Sequence, residues 1–444
     1  VDFSHLRPPL VVKGLSDASR PEFFLDIAEA TQKALERAPC LVQEYIVGVG
    51  RGYFAVAWNG EVLLEFTHER LVEQEPVGGA SIGARGPVMD PLLFKIGRKV
   101  IERLKWTGPI MVETKWDPYK DEYYLIEINP KFWGSLALPV SLGYHFPAIL
   151  ALAYLEGKER ALEIVRGLFV RYGEYFFLAD GLYYIARLPK VYSKMLYRSK
   201  LISSDIDLTD PIRTLATLSV RLSFFKKYRD SWIRHHEKYM KATPVLLRKK
   251  DYKIVLFDLD GTLVRLEIDW KNAHASLVSK GYIKKRDTII GGLYKLWNKD
   301  KEMYNKASEL LAEIETDGIK SLKPLVNIKK LNELKKSHNF LYYIVTFQSQ
   351  NIAQEVVRRL KIEIDNIIGR DSGYGPLKGD MVASFKNNSV LFDDNLYNVV
   401  EALRIGIMSV NTNIDEYTRY KSIELGIPAV RPSEIPNLIA QLPS

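Results

Sequence analysis

Residues 253–264 read Lys-Ile-Val-Leu-Phe-Asp-Leu-Asp-Gly-Thr-Leu-Val. The apolar run followed by Gly-Thr predicts a buried strand that delivers Asp258 and Asp260 at its carboxyl end, just before a turn. Ligands of open α/β sheets bind at that edge. One carboxylate there can act as nucleophile or metal ligand while the other reaches over it as general acid and base. An acidic turn capping a helix, or part of a Ca²⁺ loop, is the bland reading of the same four residues.

Further along the chain, three more apolar runs follow: FLYYIVTF at 340–347, NIIGRD at 366–371 and SVLFDDN at 389–395. Helical segments separate them, which is the cadence of a parallel, doubly wound sheet. The expected fold class is therefore α/β, with a Rossmann-like parallel sheet over residues 251–444. The second run ends in Thr346, the last in Asp393 and Asp394, and Lys378 sits in a Gly-Pro-Leu-Lys-Gly-Asp loop between them.

Asp-x-Asp, then Thr, then Lys, then Asp-Asp, in this order, resembles the haloacid dehalogenase-like phosphohydrolases over about 190 residues. The resemblance implies that Asp258 takes the phosphoryl group and that Asp260 protonates the leaving oxygen and then activates water. Thr346 and Lys378 would hold the phosphate. Asp394 would ligate Mg²⁺ with Asp393 assisting, and Asp258 and the Asp260 backbone carbonyl would complete the set. Such a cation makes sense, because a dianionic phosphate beside these carboxylates is repelled unless a hard divalent ion and a lysine offset the charge. Gly406, where such enzymes turn from helix into the next strand, favours Asp394 as the main aligned carboxylate. A second acid favours a phosphatase over a dehalogenase, since a departing alkoxide needs a proton and a halide does not. The mostly helical insert at about 266–334 is expected to be a substrate-selecting cap.

Residues 1–157 have a different grammar. Short β-rich runs (LVV, LVQEYIV, YFAVAW, EVLLEF, IMVETKW, YYLIEIN) alternate with helical stretches at Pro21–Arg37 and Pro91–Leu104, which predicts an α+β block with an antiparallel sheet. Glu113 lies in one run, and Glu127 and Asn129 lie two apart in the next. The turn D-P-Y-K-D-E joins the runs, so a hairpin can bring three oxygens to one face, a set that suits Mg²⁺. With Lys13 after a strand, Gln43-Glu44-Tyr45-Ile46 on another and EINPKFWGSLALPVSLGYHFP at the end, the block resembles the later part of an ATP-grasp enzyme related to carbamoyl phosphate synthetase.

That resemblance implies that Lys13 contacts the ATP phosphates and that Gln43 and the backbones of Glu44 and Ile46 hold adenine. Glu113, Glu127 and Asn129 would bind Mg²⁺, and a carboxylate would be phosphorylated by ATP and captured by an amine. Gly50 falls where a ribose-binding acid is usual, and the phosphate loop after Lys13 is reduced to G-L-S-D-A-S-R. The first nucleotide lysine and a preceding domain are expected upstream of Val1. The glycines at 48–52 read as a hairpin connection, and Gly78-Gly79-Ala80-Ser81 as a surface loop or acceptor contact.

Between these blocks, residues 158–250 read as a helical, aromatic connector. From Ile185 to Lys253 there are 17 lysines and arginines against 6 acids, in a chain of net charge +9. The positive charge is therefore local rather than general. Such a stretch fits a solvated face, with an anionic membrane surface or nucleic acid as the alternative and Arg248, Lys249 and Lys250 as its test residues. No nucleic-acid motif is present. One cysteine, Cys40, among 444 residues excludes an internal disulfide and a thiolate metal cluster, so a cytoplasmic location is expected. The uncharged run Phe132–Leu155 contains prolines and glycines and reads as a loop and buried helix rather than a membrane span. His68, His235 and His236 fit no ligand spacing.

The combined reading is a bifunctional enzyme: a small-metabolite phosphatase fused to an ATP-dependent carboxylate–amine ligase-like block. The alternatives are a phosphatase carrying a degenerate ATP-binding module, and a tethering protein organised by the connector.

Overall fold

The computed structural model describes residues 3–15, 21–75, 77–181, 251–386 and 388–443, with 193, 197, 203, 204, 210–212, 214–220 and 222. The chain divides into two compact units. One comprises Val1–Val47, Pro118–Asp121 and Arg234–Ser444, and the other Gly48–Asp117 and Glu122–Ile233. The division cuts the 1–157 block between Val47 and Gly48.

In the first unit, β1 (Leu10–Gly14) pairs antiparallel with β2 (Glu22–Phe24) and with β3 (Cys40–Glu44). Helix Ile27–Arg37 covers one face of this sheet. It starts at Asp26, whose side chain accepts from Ala28 N at 2.8 Å and Glu29 N at 3.0 Å and so satisfies two otherwise orphaned donors. Ala30 and Ala34 pack on Leu10 and Val12. Cys40 is half-buried, its Sγ donating to Ala34 O, a packing role.

The same unit holds a five-stranded parallel sheet. It comprises β11 (Ile254–Phe257), β14 (Leu341–Val345), β15 (Asn366–Ile368), β16 (Ser389–Asp393) and β17 (Met408–Asn411), ordered β15-β14-β11-β16-β17. The order reverses at β11, which makes the carboxyl ends of β11 and β16 the topological switch point. Both faces are covered: Val255, Phe257, Tyr342 and Phe392 pack on one side, and Leu256, Val345 and Leu391 on the other. Burial on both faces is why these runs are continuously apolar in sequence. Each fully buried phenylalanine contributes roughly 1.5–3 kcal/mol of transfer free energy.

The insert rises from a two-stranded stem, β12 (Val264–Arg265) on β13 (Lys323–Pro324). Three helices, Trp270–Ser279, Ile289–Lys299 and Lys301–Gly318, build a separate core from Leu277, Leu293, Tyr304 and Leu311. The next helix, Ile328–His338, buries Leu331 and Leu334 in the main sheet cluster instead. The helices with their own core therefore end at Gly318, short of the 334 read from the sequence.

The second unit is a seven-stranded sheet, ordered β10-β9-β6-β5-β4-β7-β8. Its strands are β4 (Val49–Trp58), β5 (Glu61–Glu75), β6 (Gly78–Gly86), β7 (Gly108–Asp117), β8 (Glu122–Asn129), β9 (Gly173–Phe176) and β10 (Ser203–Ser204). Central β4 shows the side-chain alternation directly. Tyr53, Ala55 and Ala57 face helix Pro91–Leu104, while Phe54 and Val56 face Phe146 and Ile149 of helix Phe146–Glu156.

Three local readings change. The glycines at 48–52 are not a hairpin connection: Val49 onward is β4 itself. A Cβ on Gly50 would meet the Arg70 side chain at 2.8 Å, so glycine there makes room within a strand. Gly78–Ser81 begins β6 rather than a loop. Within the stretch read as a helical connector, Gly173–Phe176 is a strand paired with β6, because Tyr175 and Phe176 bury against the sheet. The basic part of the connector, with Arg248, Lys249, Lys250, His235 and His236, lies outside the described residues. Among the described residues no helix is long and apolar enough to cross a membrane.

Candidate active site

Register builds the site in the parallel sheet. Phe257 lies beside Ile344 on one flank and beside Phe392 on the other. The residues that follow, Asp258, then Val345 and Thr346, then Asp393 and Asp394, therefore emerge together at one edge. Asp258 N donates to Phe392 O at 2.9 Å and Thr346 N to Ile368 O at 2.9 Å, which fixes the first turn out of each strand.

Lys378, at the start of the helical turn Lys378–Val382, is buried and central. Its Nζ lies 2.5 Å from Asp258 Oδ1 and 3.2 Å from Asp393 Oδ2, and it also donates to Val345 O. Burial alone would lower its pKa, but the two carboxylates outweigh that and hold it above the ordinary lysine value. Asp393 is fully buried and accepts from Asn395 N at 2.8 Å and from Asn398 Nδ2 at 3.1 and 3.2 Å.

Asp258, Asp393 and Asp394 each place a carboxylate oxygen within 4.8 Å of the others. Burial, then repulsion from Asp258, Asp393 and Asp260, pushes Asp394 well above the usual carboxylate range. Gly261, at φ +88°, lets this acid approach, since a Cβ there would lie 2.3 Å from Asp394 Oδ2. Asn411 and Asn413 donate to Asp394 O at 3.3 and 2.8 Å. The donor set is all oxygen and crowded with negative charge, which fits a hard divalent cation.

The Asp260 carboxylate stands outside that trio. It is held by Leu266 N at 2.8 Å, and burial followed by the charge of Asp258 raises its pKa to about 6 against the pull of that hydrogen bond. A carboxyl poised near neutrality two residues from Asp258 suits proton transfer in both directions. Thr346 is buried, its hydroxyl paired with the Gln348 side chain. Gly406, at φ +92°, turns the chain from helix Leu396–Arg404 into β17.

In the N-terminal sheet, Lys13 pairs opposite Leu41 and Gln43 opposite Val11. Lys13, Val11 and Gln43 therefore share the face turned away from helix Ile27–Arg37. Glu44 accepts from Arg7 N at 2.9 Å, and Ile46 follows the strand, half-buried. In the other unit Glu113 lies directly opposite Glu127, and Met111 opposite Asn129. All three oxygen-bearing side chains thus lie on one hairpin face, and Asn129 Nδ2 donates to Glu127 Oε1 at 2.6 Å. Two carboxylates and an amide oxygen suit a hard cation.

Sequence reasoning did not find the partners of that face. Arg70 Nη2 lies 2.8 Å from Glu113, Arg70 Nη1 3.3 Å from Glu73, and Lys115 Nζ 3.4 Å from Glu73. It also missed Asn398 and the fully buried pair Arg370–Glu315. A charge directly after a buried strand, as in the run NIIGRD, was the one available signal for Arg370. His68 is buried with its Nδ1 3.4 Å from Ser135 Oγ and its ring on Phe54, and burial pulls its pKa well below the ordinary value.

No protein-family model and no curated protein matches the chain. Solved structures match parts of it. A structure described as a predicted phosphatase from Clostridium acetobutylicum is 22% identical at TM-score 0.33, over 44% of this chain and 100% of that one. A haloacid dehalogenase-like family hydrolase from Streptococcus pneumoniae is 22% identical at TM-score 0.31, over 41% and 96%. Phosphoribosylglycinamide synthetase from Anaerococcus prevotii, an ATP-grasp enzyme, is 18% identical at TM-score 0.31, over 39% of this chain and 46% of its own.

Proposed function

We propose that the C-terminal part of the chain is a Mg²⁺-dependent phosphomonoester hydrolase acting on a small phosphorylated metabolite. The observation that carries this reading is the buried Asp258–Lys378–Asp393 contact beside Asp394 at the switch point of a parallel sheet. Asp258 attacks phosphorus, and its new O–P bond forms as the ester O–P bond breaks. The leaving oxygen takes the proton of Asp260. Asp260, now ionised, removes a proton from water, which displaces the phosphoryl group from Asp258 and releases inorganic phosphate. Lys378 and Thr346 hold the transferring oxygens, and burial keeps competing water away from Lys378. Asp258, Asp393, Asp394 and the Asp260 carbonyl would hold Mg²⁺, which supplies charge neutralisation for the phosphate when bound.

The same reading extends to an ATP-dependent carboxylate–amine ligase in the N-terminal part. Lys13 would hold ATP phosphates, with Gln43 and the Glu44 and Ile46 backbones at adenine. Glu113, Glu127 and Asn129 would hold Mg²⁺. It is supported by the shared face of Lys13 and Gln43 and by the acidic hairpin face. Gly50 inside β4, where a ribose-binding acid is usual, favours a degenerate nucleotide-binding module as the second reading. ADP formation with a panel of carboxylate and amine pairs separates the two.

A panel of phosphate esters, assayed with and without Mg²⁺, tests the phosphatase. Metal-dependent release that disappears in Asp258→Asn is expected. Release that persists unchanged in that variant would remove the assignment.

A further inference from the structure

Arg370 follows β15, is fully buried, and takes no part in the cluster around Lys378. Burying a guanidinium is costly unless every side of it is answered. Here its Nε donates to Ser308 Oγ at 2.9 Å, Nη2 to Ser308 O at 2.7 Å, and Nη1 to Glu315 Oε1 at 2.5 Å and Phe347 O at 3.0 Å. Ser308 and Glu315 lie on helix Lys301–Gly318 of the cap, whereas Phe347 lies in the loop that leaves β14 through Thr346. One planar fork therefore joins the cap to the loop on which Thr346 sits.

The loop is held at every residue after Thr346. Arg370 N donates to Gln348 O at 3.1 Å, and Ser349 N donates to Glu315 Oε2 at 3.3 Å. The Phe347 ring packs on the cap's own core, 6.2 Å from the Trp270 ring. Tyr304 of the same cap helix donates to Arg370 O at 2.7 Å. Apolar packing could have joined cap and core, but it could not have tied these backbone groups in one arrangement. Among the described residues, Arg370 is the hydrogen-bond partner of the Phe347 carbonyl and Glu315 that of the Ser349 amide.

We propose that Arg370 and Glu315 are positioning residues for phosphoryl transfer: their ion pair sets the Thr346–Ser349 loop against Asp258 and makes that setting depend on a seated cap helix. The assignment rests on the phosphatase reading. Neither residue touches the reacting atoms. They act through Thr346, so their loss reduces turnover by misplacing the phosphate rather than by removing a reacting group.

The test uses the full-length protein with its best phosphate ester and Mg²⁺, and orthovanadate as a phosphate mimic. The variants are Arg370→Lys, Glu315→Gln and Ser308→Ala. Arg370→Lys and Glu315→Gln should lower kcat roughly ten- to a hundredfold and weaken vanadate inhibition in parallel, with KM changed far less. Ser308→Ala should show the same pattern at a few-fold with its melting temperature close to wild type, so the answer survives if a charge variant does not fold. Loss of melting temperature with kcat and vanadate inhibition intact in Glu315→Gln and Ser308→Ala would overturn the assignment. Turnover abolished by Asp258→Asn but intact in these variants would sink this assignment alone, whereas turnover surviving Asp258→Asn would sink the phosphatase reading with it.

Discussion

Two acidic faces of the molecule differ in how far their charge is answered. At the edge of the parallel sheet, Asp258, Asp393 and Asp394 lie around one buried lysine, Lys378, with the buried Asp260 carboxylate close by. On the β7–β8 hairpin face, Glu113 is already answered by Arg70, and Glu73 by Arg70 and Lys115. The first face is short of positive charge, so a bound divalent cation would stabilise it. The second, even counting Glu127, carries a smaller surplus, so a cation at Glu113 must displace or share its ion pair with Arg70. Acidic side chains alone therefore do not announce a metal site, and the surplus over their partners is what does so.

The largest effect expected from this contrast is on turnover. Asp258→Asn should reduce phosphate release by roughly a thousandfold or more, because it removes the nucleophile. Glu113→Gln should leave the same assay within about twofold, since the hairpin face has no role in that reaction. A large loss in Glu113→Gln would break the comparison.

Next comes stability. Lys378→Met strands two carboxylates beside a buried apolar side chain, and should cost about 3–5 kcal/mol in urea unfolding monitored by circular dichroism. Arg70→Met strands Glu113 but leaves Glu73 with Lys115, and should cost less, about 1–3 kcal/mol. Equal costs would mean that the two faces are equally balanced.

The cation dependence is smaller. Asp394→Asn should raise the melting temperature without Mg²⁺ by roughly 2–4 °C and shrink the rise that Mg²⁺ gives the wild type. The sign follows from the repulsion: an acid held above its unfolded pKa costs stability once it ionises. For Asp260, raised to about 6, metal-free stability should fall as pH rises from about 4 to about 6 and level off beyond, in the absence of opposing shifts. Asp260→Asn should flatten that part of the profile.

What the sequence made legible follows from locality. Asp258, Asp260, Thr346, Asp393 and Asp394 sit at or just past strand ends, and an apolar run that stops at an acid is visible without any partner. The parallel sheet was legible for the same reason, because its doubly buried strands are unbroken apolar runs. Arg370–Glu315 was not, because its partners are 55 residues apart and only the fold brings them together. Arg70–Glu113 hid in the same way across the sheet. Strand β6 was lost to glycines that read as loop, β9 to an aromatic stretch that read as helical, and the start of β4 to Gly50 and Gly52, whose missing side chains make room for Arg70 and Phe54. A glycine in a strand and a glycine in a turn look alike until the neighbour that needs the space is known.

The central claim is that a phosphoryl group is carried by Asp258. The most direct measurement is to quench the enzyme during turnover, reduce with borohydride, and map the product by peptide mass spectrometry, since reduction converts an aspartyl phosphate into homoserine. The account predicts homoserine at position 258, dependent on substrate and absent in metal-free enzyme. Continued phosphate release with the modification at another residue, or with none at all, would contradict it.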